Sequence, residues 1–158
     1  MSASPSTAAY KVEHDAQRGE SGMYVTMRIG GQLFGIPVAH VRDVLRQQKV
    51  TAIPLAPAEV AGSLNLRGRI VTVIDLRRRL NLPPREANAK TSFVVVELKG
   101  ELYSLMVDSV GEVLSVFAAR TEPPPANLTG RWKEVSSGIY KLESELLVLI
   151  DVQALLTL

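Results

Sequence analysis

The chain has 158 residues, 46% of them apolar and 22% charged, with no cysteine and a formal net charge of +2. This size and balance fit one globular domain or two small ones, and the lack of cysteine excludes disulfides, thiolate metal sites and a cysteine nucleophile. An aromatic content of 5% is too low for a base-stacking surface, and the slight basic excess hints at an acidic partner rather than at nucleic acid.

Residues 1–21 are rich in Ser, Ala, Gly and charge without periodicity, and read as a disordered tail in which His14 is solvated. The first residues lack an apolar h-region, and no apolar run is long enough to cross a bilayer. A cytoplasmic protein with no direct membrane insertion is therefore expected. Strand patterning begins at Met23. Tyr24, Val25, Met27 and Ile29 lead to Gly30-Gly31, a hairpin signal, and Leu33, Phe34, Ile36 and Val38 form the return strand. Pro37 cannot donate to a ladder, so it predicts an edge or a bend. Val41, Val44 and Leu45 follow at helical or bent-strand spacing. Ile53-Pro54 and Pro57 then mark an irregular connector. Its stiffness suits a plain loop, or a recognition segment that loses little entropy on binding.

The organising stretch runs from Gly62 to Leu80. Asn65-Leu66-Arg67-Gly68 is a polar loop ending in glycine. Ile70 to Ile74 is a short β-branched run that suits a buried strand. Asp75 stands where a helix begins and reads as its N-cap, with Leu76 and Leu80 on one helical face. Arg77, Arg78 and Arg79 fan around that helix and read as a solvated surface.

The pattern then recurs. Tyr24–Leu45 lies over Phe93–Leu114 without a gap, at an offset of 69: Tyr24 meets Phe93, Gly31 meets Gly100, Phe34 meets Tyr103 and Leu45 meets Leu114. Ile70–Leu80 lies over Leu146–Leu156 at an offset of 76, Asp75 on Asp151, with Gly62 on Gly138. Two diverged copies of one β-rich unit are expected, about 22–88 and 89–158, joined by the stretch from Asn81 to Lys90. Four or five short strands per copy suit a small antiparallel barrel, which removes sheet edges by closing. Barrels this small are marginal alone, so the copies should pack together. Strand exchange between them stays open on the pattern.

Catalytic chemistry is hard to find. His40 has no second histidine at ligand spacing and reads as half-exposed and structural. Neither a nucleophile elbow nor a phosphate loop is present. Asp75, Asp108 and Asp151 are candidates for acid–base work, but the equivalent placing of Asp75 and Asp151 before apolar helices favours capping. Arg67 differs from its counterpart Glu143, and Asn65 from Lys141. A scaffold repeated with reversed loop charge points to different partners, or to different faces in use, for the two copies.

Phe34-Gly-Ile-Pro, Val41-Arg-Asp-Val, the run Gly62-Ser-Leu-Asn-Leu-Arg-Gly-Arg-Ile-Val-Thr-Val-Ile-Asp-Leu, Val107-Asp-Ser-Val and Gly138 resemble the CheW-like family of chemotaxis coupling proteins, from about Tyr24 to Leu156. The resemblance implies an all-β fold of two pseudo-repeated, five-stranded SH3-like β-barrels packed together, with short helices. It implies a non-enzymatic adaptor, without cofactor or metal, that couples methyl-accepting chemoreceptors to the histidine kinase CheA in arrays at the inner membrane. Val41, Gly62, Asn65, Arg67 and Gly68 would face the receptor's helical tip. Hydrophobic barrel ends, with Asp43 and Val38, would meet the kinase regulatory domain. Thr72 stands where the family often has proline, and Asn127 to Trp132, near a second kinase contact, also departs. The alternative function is that of a basic small-barrel nucleic-acid-binding protein.

Overall fold

The computed structural model describes residues 21–126 and 130–158; the expected tail, with His14, lies outside the described residues except for Ser21. Eleven strands form among the described residues: β1 (Gly22–Ile29), β2 (Gln32–Pro37), β3 (Val41–Leu45), β4 (Val60–Leu66), β5 (Arg69–Asp75), β6 (Ser92–Leu98), β7 (Glu101–Val107), β8 (Ser109–Val116), β9 (Thr121–Glu122), β10 (Ser136–Lys141) and β11 (Leu146–Ile150). Three short helices accompany them: α1 (Leu76–Arg79), α2 (Gly130–Val135) and α3 (Val152–Leu156). Pro37 ends β2 and the chain bends through a 3-10 turn, Val38–His40, into β3. The hairpin loops Gly30-Gly31, Arg67-Gly68 and Lys99-Gly100 all carry positive φ at both residues, the geometry whose twist matches paired strands.

The strands form two sheets, ordered β8-β1-β2-β11-β10-β9 and β3-β6-β7-β5-β4. Both close. Shortly after β3, Thr51 exchanges two backbone hydrogen bonds of 2.8 Å with Ser63 of β4, the far strand of its own sheet. Likewise the chain leaving β8 returns as β9 on β10. Each sheet is thus a small barrel without long free edges.

Each barrel takes its opening hairpin from one sequence copy and its remaining strands from the other. The hairpin β1–β2 sits among β8 to β11, and β6–β7 sits among β3 to β5. The pairings repeat in register. Met27 opposes Val110 as Val96 opposes Val41, and Phe34 opposes Val148 as Tyr103 opposes Thr72. A bulge recurs as well, at Val60/Gly62 in β4 and Ser136/Gly138 in β10. The barrels are not wholly antiparallel, because β2–β11 and β5–β7 run parallel. Parallel neighbours need a long connection, and insertion of a hairpin from the other copy supplies it.

One apolar cluster joins the barrels, drawing Met27, Phe34 and Ile36 from one and Ile74, Val94 and Leu105 from the other. Each barrel has its own interior too, around Tyr24, Leu147 and Leu149, and around Leu64, Val71, Val73 and Phe93. Alternate residues of β11 serve different cores: Leu147 and Leu149 fill the barrel, while Val148 and Ile150 face the joint. A strand buried on both faces needs an unbroken apolar run, which explains Leu146–Ile150.

Helices α1 and α3 start on equivalent caps. Asp75 accepts from the Arg77 N–H at 3.0 Å, and Asp151 from Gln153 and Ala154 at 3.0 and 3.3 Å. Leu76 and Leu80 are buried on one face, as their spacing requires. The arginine triplet does fan out, but it is not a solvated surface. Arg77 grips Asp108 with two bonds, Nε–Oδ1 at 3.0 Å and Nη2–Oδ2 at 2.7 Å. Arg79 is buried and donates to the Leu155, Ala154 and Thr157 carbonyls at the end of α3. Arg78 alone of the three projects outward. The cause is the position of α1 in the seam between barrels, where two of three successive directions meet protein.

Candidate functional site

The candidate residues gather where the β3–β7 barrel closes. β3 and β4 are at opposite ends of the strand order, yet Arg67 Nη2 lies 3.1 Å from Asp43 Oδ2 across the closed seam. Arg67 has φ 52° and Gly68 φ 87°, so the tight turn fixes the direction of the arginine. Asn65 Oδ1 accepts the Gly68 N–H at 2.8 Å and locks the turn from inside. Asp43 Oδ1 accepts the N–H of Val44 at 2.9 Å, which holds the carboxylate toward the seam. The Arg67 side chain remains 77% exposed, so most of its five donors face solvent.

Gly62 is buried in the β4 bulge with φ 149°. A Cβ there would overlap the Thr51 carbonyl oxygen, so the barrel's own closure requires glycine. Val41 is half-buried at the start of β3 and packs on the shared core. Val38 is exposed in the 3-10 turn before it. The residues that the resemblance assigned to two partners are therefore not separate: Asp43 and Arg67 touch. Around them the surface is mixed. Val44 and Ile70 are exposed, and Arg42 Nε pairs with Glu97 Oε1 at 2.8 Å. His40 is half-exposed, its Nδ1 lying 3.4 Å from the Glu97 carbonyl oxygen.

A second cluster went unread in the sequence. Asp108 is bound by Arg77, by Arg85 Nη2 at 3.2 Å and by the Gly30 N–H at 2.8 Å. Arg85 Nη1 also reaches Asp75 Oδ1 at 3.3 Å. This network fastens the 81–90 linker to both barrels. Burial pushes the Asp108 carboxyl up, but the Arg77 and Gly30 hydrogen bonds outweigh it and hold the group below the usual carboxylate range. The only sequence signal was an aspartate just after β7, with arginines far away in the chain.

Among the described residues, no three His, Asp or Glu side chains gather at metal-binding spacing. An open depression of about 420 Å³ is lined by Arg79, Glu134, Asp151, Gln153, Ala154 and Thr157. Its buried guanidinium is already occupied by backbone carbonyls. No described helix is long and apolar enough to span a membrane.

Two closed barrels with a shared core and an outward-facing polar seam define a scaffold. Residues 23–158 match the model of the CheW-like domain, and the chain belongs to that family of chemotaxis scaffold proteins, which are not enzymes. It is 30% identical over 131 residues to the probable chemotaxis protein CheW of Rhizobium etli, covering 83% of this chain and 84% of that one. Identity to the chemotaxis protein CheW of Bacillus subtilis is also 30%, over 84% of this chain and 85% of the relative. The crystal structure of the scaffolding protein TtCheW from Thermoanaerobacter tengcongensis superposes with a TM-score of 0.78, at 29% identity over 87% of this chain and 94% of that one.

Proposed function

We propose that this protein couples chemoreceptors to a CheA-type histidine kinase, holding both at receptor arrays on the cytoplasmic side of the inner membrane. The observation that carries this reading is the exposed Arg67, aimed outward by a left-handed turn and only partly used by Asp43. A guanidinium so placed can clamp a carboxylate or the terminal carbonyls of a receptor helix. Val41 and Val44 add apolar contact, Asn65 and Gly68 set the turn, and Gly62 shapes the strand beneath without touching the partner. Asp43 belongs to this receptor face by its contact with Arg67, while Val38 and the barrel ends are left for the kinase regulatory domain. Simultaneous contact would bias the kinase between states with no chemistry in the adaptor.

The test is binding of the full chain to an immobilised receptor tip and, separately, to the kinase regulatory domain. The exposed Asp43–Arg67 pair contributes at most about 1 kcal/mol to folding, so Arg67→Glu should stay folded. It should bind the tip at least ~10-fold more weakly, as central arginine anchors do. A folded Arg67→Glu variant with unchanged tip affinity overturns the site. A wild-type chain that binds neither partner overturns the adaptor reading.

A further inference from the structure

The two barrels carry matched charges at one end, and use them differently. Side chains alternate along a strand, so Arg28 shares the inward face of Tyr24, and Glu145 that of Leu147 and Leu149. At the mouth of that barrel, beside the Gly30-Gly31 turn, Arg28 and Glu145 form a two-pronged pair, Nη1–Oε1 at 2.9 Å and Nη2–Oε2 at 2.8 Å. The repeat offsets of 69 and 76 put Glu97 and Arg69 at the corresponding positions of the other barrel, with the charges exchanged. Arg69 shares the inward face of Val71 and Val73, and Glu97 that of Phe93. Yet this pair does not form. Arg42 takes Glu97 instead, Nε–Oε1 at 2.8 Å, and is itself tied to the Ala39 and Val41 carbonyls. The counterpart of Arg42 is Gly111, which has no side chain to compete. Arg69 is left exposed, and its side chain has no hydrogen-bond or ion-pair partner among the described residues. Ile70 beside it is 72% exposed, so β5 starts bare on both faces.

We propose that Arg69 is a second carboxylate-binding arginine of the receptor face, and that Arg42 keeps it available by occupying Glu97. This rests on the receptor reading above. Arg69 follows Arg67 by two residues around one tight hairpin turn, so their Cα atoms lie within about 7 Å of each other. Acidic side chains one turn apart on a helix have Cβ atoms about 5–6 Å apart. A receptor helix carrying such a pair offers one carboxylate to Arg67 and the next to Arg69. Asp43 and Glu97 are each engaged by another arginine, so Arg69 has no counterion at this end of the barrel, and the complementary surface is acidic. Exposed arginines are common on protein surfaces. Arg69 stands apart because the fold supplies it with a mate, and a neighbouring cation holds that mate away.

Full-length wild type, Arg69→Gln, Arg42→Ala and the double variant Arg42→Ala/Glu97→Gln are titrated against the receptor tip and the kinase regulatory domain at low and high salt. Arg69 is exposed and unpaired, so Arg69→Gln should keep the wild-type thermal midpoint. It should bind the tip about fivefold more weakly at low salt, with a shallower salt dependence and unchanged kinase affinity. Arg42→Ala frees Glu97 to capture Arg69, as Glu145 captures Arg28, and should weaken tip binding to a similar degree. The double variant removes the capturing carboxylate and should recover wild-type tip affinity, which a merely structural role of Arg42 would not allow. Wild-type tip affinity of Arg69→Gln, with Arg67→Glu impaired, overturns the proposal and leaves the receptor reading intact. A double variant as weak as Arg42→Ala overturns the role given to Arg42. A loss confined to the kinase overturns the choice of partner. If wild type itself does not bind the tip, the receptor reading fails and the assignment of Arg69 with it.

Discussion

Ser104 sits at the centre of β7, fully buried, and its hydroxyl has no hydrogen-bond partner. Its counterpart in the other copy is Gly35, so both copies place a small residue where a strand is covered on both sides. An unmet buried hydroxyl costs about 1–3 kcal/mol, whereas alanine fills nearly the same space without it. Ser104→Ala should therefore raise stability by about 1–2 kcal/mol, read as a higher urea midpoint at unchanged slope. The same scale shows why some side chains could be read from sequence and others not. Asp75 and Asp151 cap the helices that follow them, an interaction completed within a few residues. Arg77 and Arg79 find partners 31 and 76 residues away, and no local pattern announces such a partner.

Among elements, α1 and α3 form a matched pair, since both begin on an aspartate with nearly the same backbone angles. Their caps differ in what surrounds them. Asp151 is exposed and serves the helix alone, while Asp75 is buried and also meets Arg85. Asp151→Ala should cost about 1 kcal/mol, the ordinary value of a cap. Asp75→Ala should cost clearly more, about 3 kcal/mol, because it also strips a partner from a nearly buried guanidinium. Chemical denaturation of the two variants measures the difference, and equal losses would mean that the linker network adds nothing. The repeated bulge follows the same logic: Gly62 and Gly138 each sit where a neighbouring backbone, Thr51 or Glu122, comes too close for a free Cβ.

At the level of the whole molecule, neither sequence copy contains a complete barrel. Residues 22–88 alone would leave β1–β2 without β8 and β11, and β3 to β5 without β6 and β7. Each half expressed separately should lack cooperative unfolding, and the mixed halves should recover the wild-type β-sheet circular dichroism. A half that unfolds cooperatively alone would show that the exchange is dispensable. The opening hairpin, the strand from Ile70 to Ile74, the helix caps and the Arg67-Gly68 turn were legible in the sequence, because each depends on residues near in the chain. β4 was not, since its Asn65 and Leu66 have the pattern of a polar loop, and neither was β3, whose spacing fits a helix as well as a bent strand. Only the tertiary structure decided which hairpin completes which barrel, that Asp43 and Arg67 share one seam, and that the arginine triplet and linker lock the joint. Those outcomes turn on which surfaces meet across long sequence distances. Both copies carry the same apolar alternation, so a hairpin from either one satisfies the same pattern, and the packing of the pair selects between them.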